Sequence, residues 1–105
     1  LEPRVFRDGR GYFFESFNAL QARAVGIPCD FVQDNQSLSS RGVLRGLHFQ
    51  APPYAQDKLV RVISGAVNDV VVDIRKNSPT FGQHYTAHLS ADNFRMLFVP
   101  VGFAH

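Results

Sequence analysis

One stretch of the sequence decides the fold, Lys58–Arg75, which runs KLVRVISGAVNDVVVDIR. It contains two runs rich in β-branched residues, Lys58–Ser64 and Ala66–Arg75, with Gly65 between them. Branched side chains favour strands because they pack well on a pleated surface. A Ser-Gly pair between two such runs is typical of a turn. The stretch therefore predicts two successive strands.

Similar short runs occupy most of the remaining chain, with Gly, Pro, Asn and Ser between them as turn residues. Asn18–Val25 is the one predicted helix, with Asn18 as its N-cap and Gly26 as its stop. Many short strands and one short helix predict an all-β sandwich or barrel. The further predicted strands are Tyr12–Phe17, Asp30–Asn35, Val43–Gln50, Gln83–Leu89 and Phe94–Val99.

Composition narrows the classes of protein. With 45% hydrophobic and 19% charged residues, the chain lacks the signature of disorder. Eleven Lys and Arg against nine Asp and Glu, with no basic block, argue against nucleic acid and membrane surfaces as partners. The single cysteine, Cys29, excludes an internal disulfide and a cysteine metal cluster. No signal peptide or membrane-length apolar run is present, and we expect a cytoplasmic protein.

The length of 105 residues fits one domain, residues 1–105. The sequence begins with Leu1 rather than Met and stops at His105, directly after an apolar run. We therefore expect the domain to be incomplete at both ends.

The run Val43–Gln50 places Arg45 and His48 among apolar residues. One interpretation is an exposed arginine and a hydrogen-bonded core histidine. Strict alternation also puts these two side chains on opposite faces. However, a glycine within a strand, here Gly46, often marks a bulge or a close backbone approach, and a bulge would turn both toward one cavity.

Two further polar features have functional and ordinary interpretations. Lys58 has the parity of Val60, so it either points inward toward an anion or extends along the surface to solvent. The cluster Gln33–Ser37 forms either a loop or the lining of a polar cavity. Arg10 lies in a predicted hairpin turn and is solvated unless a phosphate lies above it.

A metal centre is not expected from the histidines. Strand-borne metal sites commonly use a His-X-His pair, and the residue two after His48 is Gln50. His84 and His88 are not adjacent on a strand, and we expect them at the surface or the edge of the core. Cys29 is expected to pack structurally.

Several motifs together resemble a known family. The most specific is Leu44-Arg45-Gly46-Leu47-His48-Phe49-Gln50, and the others follow in the same order along the whole chain. The ordered set is similar to dTDP-4-dehydrorhamnose 3,5-epimerase. The other motifs are Asp8–Phe17, Phe31–Ser37, Lys58–Arg61, Val70–Arg75, Ser78–Gly82 and Pro100–His105.

This resemblance implies a cupin-like jelly roll, which agrees with the all-β prediction. It also implies homodimers that exchange N-terminal strands, with no metal or organic cofactor. The implied substrate is dTDP-4-dehydro-6-deoxy-glucose, on the route to dTDP-L-rhamnose.

The resemblance also assigns roles to residues. His48 matches the general base, and Lys58 matches the residue that stabilises the enolate. In the family, the catalytic acid (a tyrosine) and the aspartate that orients the base lie further along than residue 105. We therefore expect these 105 residues alone to be weakly active or inactive. The residues that match substrate-binding positions are Arg10, Glu15, Gln33, Asp34, Asn35, Arg45 and His105.

Other functions remain open at the level of sequence. A related enzyme could invert a single centre or isomerise the ketone of the same class of nucleotide-sugar. A non-catalytic sugar-nucleotide-binding β module would need the arginines but not His48 or Lys58. A metal-dependent cupin is the least favoured hypothesis.

Overall fold

A computed structural model describes residues 1–105. The all-β prediction with one short helix is confirmed, and the predicted hairpin turn lies between β1 and β2. The elements in chain order are β1 (Val5–Asp8), β2 (Gly11–Phe14), α1 (Ala19–Ala24), β3 (Lys58–Arg61), β4 (Ala66–Asp73), β5 (His84–Ser90), β6 (Met96–Val99) and β7 (Phe103–Ala104).

The strands form three antiparallel sheets. β1 pairs with β2, β3 pairs with β6, and β4 lies between β5 and β7. In the third sheet, Val72 is opposite Ala104 and Asp73 is opposite Phe103. β4 is therefore the strand against which the end of the chain is held.

The buried residues of β4 alternate along the strand. Asp69, Val71 and Asp73 are buried and share one face, because alternate side chains of a strand point the same way. A buried carboxylate is costly unless it is paired and hydrogen-bonded. The partners of these two aspartates therefore matter for the site. The buried hydrophobic residues are Ile27, Val71, Leu89, Met96, Val99 and Ala104.

The predicted helix is confirmed at both ends. The Asn18 side chain accepts hydrogen bonds from the amides of Leu20 (3.0 Å) and Gln21 (3.1 Å), which satisfies two free N–H groups of the first turn. The helix ends before Gly26, which has a φ of +84°. The helix α1 lacks the length and apolarity that crossing a bilayer requires.

The strands predicted at Asp30–Asn35 and Val43–Gln50 are wrong. Residues 28–57 contain neither helix nor strand, and most of them are exposed. A strand is defined by pairing with a neighbour, and in Val43–Gln50 only His48 makes long-range backbone hydrogen bonds. Arg45 and His48 are therefore carried by an irregular segment. Gly46, with a φ of +114°, interrupts the extended conformation there.

Candidate functional site

The candidate site lies where the chain leaves β7 and runs beside β4. Continuing the β4–β7 register places His105 opposite Val71, so Asp69 is its diagonal neighbour on the same face. Nε2 of His105 lies 2.6 Å from Oδ1 of the buried Asp69. The half-buried imidazole thus provides the partner that this carboxylate needs.

His48 is joined to His105 through the backbone. The His48 amide donates to the His105 carbonyl at 2.7 Å, and the His105 amide donates to the His48 carbonyl at 2.9 Å. The structure therefore brings together two candidate residues that are far apart in sequence. The imidazole of His48 is exposed and has no hydrogen-bond partner in the chain. It is free to accept a proton from a bound molecule.

Gly46 makes this approach sterically feasible. A Cβ added at Gly46 would lie 3.2 Å from the carbonyl oxygen of His105, closer than ordinary contact. Its φ of +114° is also a conformation that other residues rarely adopt. Of the two interpretations of this glycine, the close backbone approach is confirmed.

Lys58 is the first residue of β3, where it lies opposite Val99. Its side chain is half-buried and makes no ion pair within the chain. The neighbouring Asp57 accepts a hydrogen bond from the Val101 amide at 2.7 Å, which fixes the exit from β6 beside it. Lys58 is thus a positive charge without a protein counter-ion on a fixed strand end.

The two candidate arginines are exposed and have local partners. Arg10 lies in the turn between β1 and β2, and its Nη2 is 2.6 Å from Oδ2 of Asp8. This interaction lowers the pKa of Asp8 and raises the pKa of Arg10. Arg45 donates from Nε to the Ser39 hydroxyl at 2.9 Å. Both guanidinium groups therefore face solvent, where an anion can reach them.

The remaining candidate residues make no hydrogen bond to either of the two histidines. Glu15 is exposed just after β2, and Asp34 is exposed in the irregular segment. Gln33 donates to the Asn35 side-chain oxygen at 3.2 Å. Among the predicted site residues, long-range hydrogen bonds join only His48 and His105.

Asp69 was missed from the sequence. The signal was present, because Asp69 has the parity of Val71 on a strand whose valines form a continuous apolar run. A carboxylate on the buried face of such a strand needs a partner, and that requirement points to a functional or structural pair.

The other histidines and the cysteine occupy ordinary positions. His84 and His88 are exposed on β5, as expected, and Nδ1 of His88 is 3.1 Å from the Asn68 side-chain oxygen. The Sγ of Cys29 contacts the carbonyl oxygens of Ala19 and Ile27 at 3.3 and 3.2 Å. No three His, Cys, Asp or Glu side chains meet in a geometry suited to a metal ion.

A family model described as dTDP-4-dehydrorhamnose 3,5-epimerase matches residues 1–105. This chain belongs to the dTDP-4-dehydrorhamnose 3,5-epimerase family. A 3,5-epimerase of Shigella flexneri is 60% identical over 106 residues, which cover all of this chain and 59% of the relative. The chain thus spans about three-fifths of the length of that curated 3,5-epimerase.

Solved 3,5-epimerases show the same fold. The Bacillus anthracis 3,5-epimerase, with TDP and PPi bound, is 54% identical and superposes with a TM-score of 0.95, covering 99% of this chain and 60% of that one. A Legionella pneumophila 3,5-epimerase in complex with dTDP-4-keto-L-rhamnose is 52% identical, with a TM-score of 0.93 over 99% of this chain and 55% of that one. The predicted cupin-like jelly roll is therefore confirmed.

Proposed function

We propose that the protein carrying this chain converts dTDP-4-dehydro-6-deoxy-D-glucose to dTDP-4-dehydro-L-rhamnose by epimerisation at C3 and C5, a step of dTDP-L-rhamnose biosynthesis. The observation that carries the proposal is the backbone pairing of His48 with His105, whose imidazole in turn contacts Asp69, in a member of this family. The relatives bound to TDP and to dTDP-4-keto-L-rhamnose support the choice of substrate.

His48 is proposed as the general base. The C4 ketone acidifies the protons on C3 and C5, so removal of either proton gives an enolate. Return of a proton to the opposite face inverts the centre. Imidazoles suit this work because they ordinarily titrate near neutrality, and the His48 ring is free of protein partners.

Lys58 is proposed to stabilise the enolate. The negative charge develops on the C4 oxygen, and a fixed cation there lowers the energy of the transition state more than that of the ground state. The half-buried position of Lys58 strengthens its field relative to a fully solvated lysine. The ketone supplies the acidity and the lysine the charge, so this chemistry requires no metal or organic cofactor.

His105 is proposed to contact the sugar through its other ring nitrogen. In the proposal, Nε2–H of His105 donates the hydrogen bond and the Asp69 carboxylate oxygen accepts it. Nδ1 is then the atom that remains for the substrate. In this way Asp69 fixes the orientation of the ring.

The exposed polar residues are proposed to bind the nucleotide. Arginine suits a diphosphate because its planar fork offers paired donors to phosphate oxygens. Arg10 and Arg45 are exposed and take this role in the proposal. The remaining proposed substrate contacts are Glu15, Gln33, Asp34 and Asn35.

We also propose a homodimer with exchanged N-terminal strands. Phe6 and Phe13 lie opposite each other in the β1–β2 hairpin and are 50% and 70% exposed. Such an apolar face on a narrow two-stranded ribbon is suited to burial against a second copy. Residues 1–105 are proposed as part of one cupin-like domain of a cytoplasmic enzyme, with its catalytic acid and base-orienting aspartate beyond residue 105.

The test follows deuterium incorporation into the substrate in D2O by NMR, using the protein extended to the length of its relatives. We expect deuterium at C3 and C5, and its loss in His48→Ala. The matched control is His84→Ala, which removes an exposed histidine from β5 and should retain exchange. Exchange at one carbon would instead indicate a single-centre epimerase. If the parent protein shows no exchange, and His48→Ala binds the nucleotide as tightly as the parent does, the protein is a binding module.

A further inference from the structure

The second buried aspartate of β4 is held by a dense set of donors. Oδ1 of Asp73 accepts from the backbone amide (3.0 Å) and Nε (2.9 Å) of Arg75. Oδ2 accepts from Arg75 Nη2 at 2.8 Å and from the hydroxyls of Ser78 at 2.7 Å and Thr80 at 2.5 Å. None of these groups takes part in the proposed chemistry, so the cluster needs another explanation.

Arg75 connects this cluster to the start of β7. Its guanidinium carbon lies 4.8 Å from the centre of the Phe103 ring. Its Cγ and Cδ lie only 2.6 and 2.8 Å from where a Cβ of Gly102 would be. The arginine therefore covers Gly102, which precedes β7, and Phe103, the first residue of β7, and only a glycine leaves room for its stem.

The backbone continues this connection toward the site. The Ile74 amide donates to the Gly102 carbonyl at 3.0 Å, and Asp73 lies opposite Phe103 in the sheet. Two residues after Phe103, His105 reaches Asp69. β4 thus holds the end of the chain at two places, the Asp73–Arg75 pair and the Asp69–His105 pair.

We propose that Asp73 and Arg75 form a positioning clamp that fixes β7 against β4 and so sets the position of His105 in the site. Its catalytic consequence rests on the proposed epimerase function. A hydrogen bond of 2.6 Å between His105 and Asp69 is sensitive to small shifts of the strand. A misplacement of about 1 Å can cost on the order of 100-fold in rate.

The hydrogen bonds from the Arg75 side chain lower the pKa of Asp73, and the same hydrogen bonds to Asp73 raise the pKa of Arg75. The pair is therefore charged throughout the neutral pH range. This makes the clamp a constant feature of the site near neutral pH.

The test compares Arg75→Gln with Arg75→Lys in the protein extended to the length of its relatives. Glutamine loses the two-pronged contact, whereas lysine keeps the charge and a long stem over Gly102. The control is Arg95→Gln, which breaks an ion pair of 2.8 Å with Glu2 away from the site. The Arg95 side chain is 55% exposed, close to the 49% of Arg75.

The first readout is the Nε2–H signal of His105 in the substrate-free protein labelled with ¹⁵N-histidine, assigned by its absence in His105→Asn. We expect Arg75→Gln to lose or strongly broaden this signal, Arg75→Lys to retain part of it, and Arg95→Gln to leave it unchanged. This readout does not depend on catalysis, so it tests the clamp even if the proposed reaction is wrong.

The second readout is deuterium exchange into the substrate, measured well below the unfolding temperature of each variant. We expect kcat to fall on the order of 10- to 100-fold in Arg75→Gln while KM changes less. If Arg75→Gln is less stable but keeps the same His105 signal and the same kcat as Arg95→Gln, the clamp is overturned. If Arg75→Gln does not fold, Ser78→Ala removes one donor to Asp73. An unchanged His105 signal in that variant would also overturn the proposal.

Discussion

Asp69 and His105 are 36 positions apart in the sequence, yet Oδ1 of Asp69 lies 2.6 Å from Nε2 of His105. The contact follows from the sheet, because β7 runs antiparallel to β4 and brings His105 diagonally past the buried face. His105 is also joined to His48 by two backbone hydrogen bonds. The residue after β7 thus holds the two candidate histidines together through their backbones.

Asp69→Asn tests whether this carboxylate orients His105. An amide can donate as well as accept, so it no longer enforces a proton on Nε2 of His105. We expect exchange of substrate protons with D2O to slow on the order of 100-fold. Asp92→Asn changes an exposed aspartate and should exchange at the parent rate. If Asp69→Asn and Asp92→Asn exchange substrate protons at equal rates, Asp69 has no role in the reaction.

Gly46→Ala tests the close approach of the backbone to His105. Its Cβ would lie 3.2 Å from the His105 carbonyl oxygen, whereas Gly42→Ala has nothing within 4 Å. Both glycines have positive φ, so Gly42→Ala measures the backbone cost alone, about 1–2 kcal/mol. We expect Gly46→Ala to lose more unfolding free energy in urea titrations and to exchange substrate protons more slowly. Matching losses would show that the approach has no steric consequence.

Much of the fold could be predicted because the evidence for it is local. The β-branched runs predicted β3 and β4, and Asn18 and Gly26 predicted the helix. The strand predicted from Tyr12 to Phe17 ends at Phe14, and the four residues of β1 and the two of β7 were not predicted. Short strands depend on their partners more than on their own residues.

The candidate site was less predictable for a related reason. Val43–Gln50 has the composition of a strand, but pairing is a property of two segments and only His48 is paired. The contact between His48 and His105 depends on the topology of β4 and β7, which residue patterns did not reveal. Asp69 could have been found from its parity with Val71.

Lys58→Met tests the stabilisation of the enolate. Methionine keeps most of the half-buried stem but removes the charge, so folding should change little. We expect kcat for deuterium exchange to fall on the order of 100- to 1,000-fold, with a smaller effect on KM. Lys76→Met, which removes an exposed lysine, serves as the control. A parent-like kcat in Lys58→Met would show that the charge of Lys58 does not stabilise the enolate.

Phe13→Asp tests the proposed exchange of N-terminal strands. A charge in the centre of an apolar interface is costly, so we expect the dimer to dissociate in sedimentation experiments. Leu20→Asp places the same charge on α1 at a residue that is equally open to solvent. It should leave the dimer intact. A dimer that survives Phe13→Asp places the subunit contact elsewhere.

The acid stability of the protein tests the state of Asp73. Its pKa is lowered in the folded protein, chiefly by the hydrogen bonds from Arg75, and rises to about 4 when the chain unfolds. The unfolded state therefore takes up a proton first as the pH falls. The stabilisation is fully present above about pH 4 and is lost progressively below it.

Asp73→Asn has no carboxylate at this position and lacks this contribution at every pH. We expect the difference in unfolding midpoint between the parent and Asp73→Asn to be large at pH 6 and to shrink steadily from pH 4 to pH 2. Urea titrations at fixed pH measure it. Asp92→Asn, at an exposed site, should stay parallel to the parent over the same range. A difference for Asp73→Asn that is constant from pH 6 to pH 2 would show that the charge of Asp73 contributes nothing to its hold on β7.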